Sequence, residues 1–144
     1  MATINVYLHF NGNCEKAFNF YKSVFGGDYK FIGRYRELSE TARQNIPHAT
    51  DEQIMHIALP ISKETLLMGA DVVDPEKDST HSHTAFSLYV NAVDKIEADR
   101  LFTALSEEGK VIVAITNQFW GSYYGLCKDK FGISWKISFS SNEK

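Results

Sequence analysis

The stretch INVYLHFNGNCEKAFNFYKSVFGG, residues 4–27, carries two hydrophobic periods in succession. In residues 4–10 apolar side chains, Ile4 among them, alternate with polar ones, which predicts a strand with one face in the core. Residues 14–25 then place apolar side chains at helical spacing, and Gly26-Gly27 follows as a stop signal. We therefore predict a strand, a tight turn and an amphipathic helix.

The rest of the chain repeats this arrangement. Alternation predicts strands at residues 4–10, 30–36, 54–61, 64–69, 84–90, 110–114, 123–127 and 134–139. A second helix is predicted over residues 94–107, with Asp94 as its cap and Ile96 in its apolar stripe. The order β-α-β-β-β thus occurs twice, which predicts an α+β fold: one domain, residues 1–144, made of two modules at about 1–70 and 84–144.

The composition excludes several classes of protein. With 144 residues, 44% of them hydrophobic and only 3 prolines, the chain is unlike disordered or collagen-like sequences. No apolar run approaches the roughly 20 residues of a membrane span, and no basic signal-peptide region is found, so we expect a cytoplasmic protein without a membrane partner. The 15 basic residues are scattered among 18 acidic ones, which argues against nucleic acid as a partner. Cys14 and Cys127 have no metal-type spacing and predict buried free thiols.

Short motifs in a fixed order carry a family resemblance. They are Tyr7-Leu8-x-Phe10-x-Gly12-Asn13-Cys14-x-x-Ala17-x-x-Phe20-Tyr21, Ile54-Met55-His56, Leu67-Met68-x-x-Asp71, Gly109-Lys110-Val111, Phe119-Trp120-Gly121-x-x-x-Gly125 and Asp129-Lys130-Phe131-Gly132-x-x-Trp135. With them the chain resembles the vicinal oxygen chelate superfamily, which includes glyoxalase I, bleomycin-resistance proteins and extradiol dioxygenases, and within it the PhnB-like group. The resemblance implies paired βαβββ modules whose mixed sheets form a curved cup, and a symmetric homodimer.

The resemblance also implies positions for a divalent metal ion on strands of both modules. Carried over one by one, these positions fall on Asn5, on Met68 or Gly69, on Ala85 and on Lys136. None of these residues is a histidine or a carboxylate, and a lysine ammonium would repel a cation. No metal or other cofactor is therefore predicted at the inherited site.

A displaced metal site is an alternative interpretation. In it, His56 and His83 would combine with a carboxylate from Asp71, Asp74 or Asp78, a donor set that suits several divalent metals. The chain would then be a metal-dependent lyase, isomerase or dioxygenase. Histidines that are simply solvated on the polar side of a strand would give the same sequence, so both interpretations stay open.

The residues predicted to line the cup lie on the strand faces opposite the core or in an aromatic segment before the seventh strand. The candidate ligand-binding residues are Tyr7, His9, His56, Tyr89, Trp120, Tyr124 and Lys136. Aromatic walls with a few polar groups are typical of small-molecule sites, and Lys136 indicates an anionic or oxygen-rich ligand. The predicted function is metal-independent binding of such a molecule. An interaction module with an empty cup and an ordinary polar sheet face is the other alternative.

Signatures of other chemistry are missing from the sequence. It contains neither a Gly-x-Ser-x-Gly nucleophile motif nor a Gly-x-Gly-x-x-Gly dinucleotide loop. Members of the PhnB-like group sometimes carry a methyltransferase label, but no glycine-rich strand-to-helix turn is present to hold a nucleoside cofactor. We therefore assign no catalytic residue and leave open whether the protein is an enzyme.

Overall fold

The computed structural model describes residues 2–44, 49–72, 86–118 and 121–140. The chain divides into two compact units, Met1–Thr80 and His81–Lys144, and each is described by itself. Among the described helices, none combines the length and the apolar character that crossing a membrane requires.

The first unit is a four-stranded mixed sheet with one long helix. Its elements are β1 (Val6–Phe10), α1 (Cys14–Phe25), β2 (Phe31–Arg34), a 3-10 turn (Tyr35–Glu37), α2 (Glu40–Gln44), β3 (Ile54–Pro60) and β4 (Leu66–Asp71). The strand order is β1-β4-β3-β2; β1 runs parallel to β4, and the other neighbours are antiparallel. The predicted β-α-β-β-β order of strands and main helix is confirmed here.

The second unit has the same topology. Its elements are β5 (Leu88–Asn91), α3 (Lys95–Ser106), β6 (Lys110–Asn117), β7 (Tyr123–Lys128) and β8 (Ser134–Phe139). The strand order is β5-β8-β7-β6, with β5 parallel to β8 as β1 is to β4. The internal repeat and the α+β class predicted from the sequence are therefore confirmed.

A glycine fixes which face of the first sheet meets α1. A Cβ on Gly69 would stand 2.8 Å from Cε1 of Phe18 and 2.9 Å from the carbonyl oxygen of Leu8, so the helix packs directly on β4. Side chains alternate along a strand, so the residues paired with Gly69 share its face. These are Leu8 on β1 and Ile57 on β3, both fully buried. The opposite side is called the open face of the first sheet.

The second sheet follows the same rule. A Cβ on Gly125 would lie 2.7 Å from Cε1 of Phe102, which places Gly125 on the side of α3. Ile137 pairs with Gly125 and is fully buried. Trp135, two residues before Ile137, lies on the same face and is 3% exposed. The other side is the open face of the second sheet.

Two isoleucines that the periodicity places in the core are exposed instead. Ile4 is 95% exposed because β1 begins only at Val6. Ile96 is 80% exposed, because the buried side of α3 is formed by Ala98, Leu101, Phe102 and Leu105. At 3.6 residues per turn, Ile96 points roughly 200° away from Ala98. The predicted cap is confirmed, since the Asp94 carboxylate accepts a hydrogen bond from the Glu97 N–H at 2.8 Å.

The strand bounds that differ most from the alternation are the start of β5 and the end of β6. Residues 86 and 87 precede β5, which begins at Leu88, and residues 84–85 lie outside the described chain. β6 continues to Asn117, three residues beyond the predicted end. Irregular pairing with β7 at Val111/Val113 and Val113/Thr116 breaks the period of two that the prediction depends on.

Candidate functional site

Three of the predicted ligand-binding residues meet on the open face of the first sheet. The Tyr7 hydroxyl lies 3.1 Å from Nδ1 of His56, at hydrogen-bond distance across the intervening strand β4. The Tyr7 ring is also 5.4 Å from the His9 ring and 5.6 Å from the His56 ring, measured between centroids. The structure therefore brings Tyr7, His9 and His56 together in one cluster.

Sequence reasoning missed a fourth member of this cluster, Phe31. Its ring centroid lies 5.6 Å from that of His56, and its side chain is 47% exposed. The ring lies over Gly33, where a Cβ would come within 2.9 Å of Phe31 Cε2. The sequence of β2 alone does not reveal this, because Phe31 reaches His56 only through the pairing of Gly33 with His56 across β2 and β3.

The electrostatics of this cluster favour a protonated phenol. Burial raises the pKa of the Tyr7 hydroxyl above its ordinary value, and Cys14 and Tyr35 add smaller effects in the same direction. The hydroxyl therefore carries its proton at neutral pH and can donate a hydrogen bond to Nδ1 of His56. When Nδ1 accepts that bond, the ring N–H is on Nε2, which is then a donor for an oxygen-bearing ligand.

The open face of the second sheet carries three more predicted residues. Tyr89 pairs with Lys136, and Tyr124 pairs with Ser138 two residues further along β8. The alternation places Tyr89, Tyr124 and Lys136 on the face opposite Gly125 and α3. Tyr89 is 58% exposed, whereas Lys136 and Tyr124 are half-buried. The remaining candidate, Trp120, lies outside the described residues.

The charge of this second face is one-sided. Lys128 pairs with Ser134 and Lys110, and Ser134 is two residues from Lys136, so all three lysines share the open face. The sequences of β5 to β8 contain these three lysines and no aspartate or glutamate. The prediction singled out Lys136 alone; Lys110 and Lys128 became visible only through the strand register.

The chain has relatives both in sequence and in structure. The family described as 3-demethylubiquinone-9 3-methyltransferase matches residues 2–138. The chain belongs to this family. A protein of Pseudomonas aeruginosa, PA1353, is 30% identical in sequence, and its crystal structure superposes with a TM-score of 0.81 over 97% of this chain and 98% of its own.

Two further structures show the fold. One is described as a putative 3-demethylubiquinone-9 3-methyltransferase, PhnB protein, from Bacillus cereus; it is 24% identical, with a TM-score of 0.79 over 96% of this chain and 100% of its own. The other is a glyoxylase/bleomycin resistance protein/dioxygenase domain from Frankia, which is 9% identical, with a TM-score of 0.68 over 100% of this chain and 95% of its own. The predicted resemblance to the PhnB-like group is thus confirmed, and the fold is that of glyoxalase/bleomycin resistance/dioxygenase proteins.

The residues of this family member do not fit the metal site that the superfamily implies. The side-chain oxygen of Asn5 accepts a hydrogen bond from the Leu66 N–H at 3.2 Å, so it is already used within the sheet. Gly69 faces α1, so Met68 is the one of the two candidate positions on β4 that lies on the open face, and Lys136 contributes a positive charge. The fourth position, Ala85, lies outside the described residues. Across residues 2–44, 49–72, 86–118 and 121–140, no group of three or more His, Cys, Asp or Glu side chains is placed to hold a metal ion.

Asp71, a candidate carboxylate of the displaced metal set, has a structural role instead. Its side chain is 4% exposed and accepts hydrogen bonds from the Cys14 N–H at 2.9 Å and from the Ile54 N–H at 2.8 Å. Both carboxylate oxygens thus bind backbone groups, at the start of α1 and the start of β3. Of the other members of that set, His56 belongs to the cluster on the first sheet, whereas His83, Asp74 and Asp78 lie outside the described residues.

Neither thiol is placed for nucleophilic chemistry. Cys14 and Cys127 are free and fully buried, as the sequence predicts. Burial, reinforced by the charge of Asp71, raises the pKa of the Cys14 thiol strongly. Burial together with Asp129 raises the pKa of Cys127 to about 12. Because the thiolate is the reactive form of cysteine, both thiols are unreactive at neutral pH.

Proposed function

We propose that this protein binds a small anionic or oxygen-rich molecule on the open face of its second sheet, without a metal ion. The observation that carries the proposal is the charge of the second sheet, whose strands present Lys110, Lys128 and Lys136 on one face and contain no carboxylate. Clustered charge of one sign attracts ligands of the other sign. The three lysines would therefore attract a bound anion, and these strands contain no acidic side chain that would repel it.

Lys136 is the residue best placed to bind the anion. It is half-buried and lies between its cross-strand partners Tyr89 on β5 and Leu126 on β7. Partial removal from water strengthens its attraction for a negative group, since the effective dielectric constant near a protein surface is well below that of water. A hydrogen bond to a charged group contributes about 1.5–3 kcal/mol.

The position of Lys136 also explains how binding works without a metal. It stands at one of the positions where the superfamily resemblance implies a metal ligand. An ammonium there supplies positive charge to the ligand directly, so the same part of the strand attracts oxygen atoms without a bound cation. This role is binding and orientation; it does not provide Lewis-acid catalysis.

Ligand titrations of the full chain test the proposal. Thermal unfolding is measured with inorganic phosphate, benzoate and the uncharged benzamide, for wild type and for Lys136→Met. We expect at least one anion to raise the unfolding temperature of the wild type, and Lys136→Met to lose most of that shift. The control is Lys130→Met, which removes the same charge from the β7–β8 turn, where the ammonium lies 3.8 Å from Glu108.

Two results would reject this function. Equal shifts in wild type and Lys136→Met would show that the anion binds elsewhere. Equal shifts with benzoate and benzamide would show that charge does not select the ligand. Lys130→Met distinguishes a local effect from a change in net charge, because both variants change that charge equally.

The methyltransferase activity named in the family description is not included in this proposal. A nucleoside cofactor is usually held by a glycine-rich turn between a strand and a helix of a parallel sheet. Here the β1–α1 turn is Asn11-Gly12-Asn13 and the β5–α3 turn is Ala92-Val93-Asp94, in sheets that are mostly antiparallel. Nothing in the described residues favours the metal-dependent alternative either.

We further propose that the protein forms a homodimer that covers strand β6. This strand is an edge of its sheet, and all of its residues except Ile115 are exposed, including Val111, Ile112 and Val113 at 49, 48 and 38%. An exposed apolar edge strand readily pairs with another chain. A second copy offers the same strand, and two identical strands related by a two-fold axis can pair antiparallel.

A further inference from the structure

Four rings follow one another on the open face of the first sheet, in the order His9, Tyr7, His56, Phe31; we call them the ring row. Their successive centroids are 5.4, 5.6 and 5.6 Å apart, and successive planes are tilted by 42, 31 and 43°. His9 is exposed, Tyr7 and Phe31 are 40 and 47% exposed, and His56 is half-buried. The row therefore presents aromatic surface across the sheet from β1 to β2.

The neighbours of the ring row are small. His9 pairs with Ala70 on β4, Phe31 pairs with Ala58 on β3, and His56 pairs with Gly33 on β2. A flexible side chain, Met68, pairs with Tyr7. Because alanine and glycine rise little above the backbone, the strand partners of the other three rings leave their surfaces accessible to a flat molecule.

We propose that the ring row is a stacking surface for a planar, unsaturated ring. This inference goes beyond the proposed function, because it concerns the first sheet alone and names a ligand class of its own: a planar aromatic ring with oxygen substituents. Aromatic faces stack favourably on other π systems, whereas a saturated ring has no π face to offer. The phenol and the imidazoles also provide polar edges that bind oxygen substituents of such a ring.

A pair of matched probes tests the inference on the full chain. 2-Naphthoate and decahydro-2-naphthoate have the same carboxylate and carbon skeleton, and only the first is planar and aromatic. Both are titrated while the imidazole C–H signals of His9 and His56 are followed by NMR, with assignments from His9→Gln and His56→Gln. We expect 2-naphthoate to shift both signals saturably and the decahydro analogue to bind about ten-fold more weakly.

Variants of β2 provide the second arm. Phe31→Leu removes one ring of the row and should weaken 2-naphthoate binding about three- to ten-fold. Ile32→Leu is the matched control, because Ile32 pairs with Ile57 on the helix side of the sheet. It introduces the same residue one position away and should leave binding unchanged.

The outcomes separate this inference from the proposed function. Equal affinities for the two probes would overturn the ring row as a stacking surface. The stacking surface would also be overturned if 2-naphthoate binding depended on Lys136 but left the signals of His9 and His56 unmoved. That result would be consistent with the proposed function. Absence of binding by both probes would also overturn the stacking surface, while the phosphate titrations still decide the proposed function independently. The comparison of probes uses the wild type, so it holds even if Phe31→Leu fails to fold.

Discussion

Replacing Asp71 with alanine should destabilise the first unit more than almost any other polar substitution. The buried carboxylate accepts one hydrogen bond from the Cys14 N–H and one from the Ile54 N–H, at 2.9 and 2.8 Å. Alanine leaves two donors without their acceptor. Hydrogen bonds to charged groups contribute about 1.5–3 kcal/mol each, so we expect Asp71→Ala to lower the free energy of unfolding by about 3–6 kcal/mol. Asp71→Asn keeps one acceptor oxygen and should lose about half of that.

Urea denaturation followed by circular dichroism measures the loss, and amide hydrogen exchange locates it. The Cys14 and Ile54 amides should exchange faster in Asp71→Asn than in the wild type. Asp28→Ala is the control. The Asp28 carboxylate is 94% exposed, and its ion pair with the partly exposed Lys22, at 3.5 Å, is a surface pair that contributes little to stability. An Asp71→Ala protein with wild-type stability, or with unchanged exchange at both amides, would refute the role assigned to this carboxylate.

Three further predictions concern stability, reactivity and assembly. The Arg34 guanidinium donates hydrogen bonds to both carboxylate oxygens of Glu15 and thereby lowers the pKa of Glu15. The pair therefore stabilises the fold at pH values above about 4.3, the ordinary pKa of glutamate. This stabilisation is lost as the pH falls through the lowered pKa. Glu15→Gln should therefore cost less than about 1 kcal/mol in urea denaturation at neutral pH and nothing in strong acid; a cost that persists in acid would contradict this. Cys14 and Cys127 should react with a thiol reagent only after unfolding, because both are fully buried with raised pKa values; rapid labelling of the native protein would show otherwise. Ile112→Lys, in the exposed edge strand, should shift the protein from dimer to monomer in sedimentation velocity, and a wild type that is already monomeric would disprove the dimer.

Much of the fold could be predicted because the hydrophobic periods are local. The alternation before Phe10 and the helical spacing after Cys14 need no information from distant residues. The role of Asp71 could not be found in this way, because its partners lie 57 and 17 residues away in sequence. Ile4 fits the strand period but lies before β1 begins, and Ile96 fits the helical period but lies on the side of α3 that faces away from the sheet. Both are therefore exposed.

The candidate site was predictable only in part for a related reason. Alternation placed Tyr7, His9 and His56 on the faces of their strands opposite the core, and in the structure their rings lie next to one another. The register between β2 and β3 places Phe31 next to His56. In the same way, the register between β7 and β8 places Lys128 on the same face of the second sheet as Lys136. Register depends on how strands pair, which the sequence of one strand does not reveal.

Native mass spectrometry of the full chain, purified from cells without chelators or a metal-affinity column, distinguishes a metal-free binding protein from a metal-dependent one. We expect part of the population to carry the added mass of a small organic molecule, which Lys136→Met loses, and no stoichiometric divalent metal. A divalent metal ion bound one to one in the wild type and lost in His56→Ala would contradict the proposal.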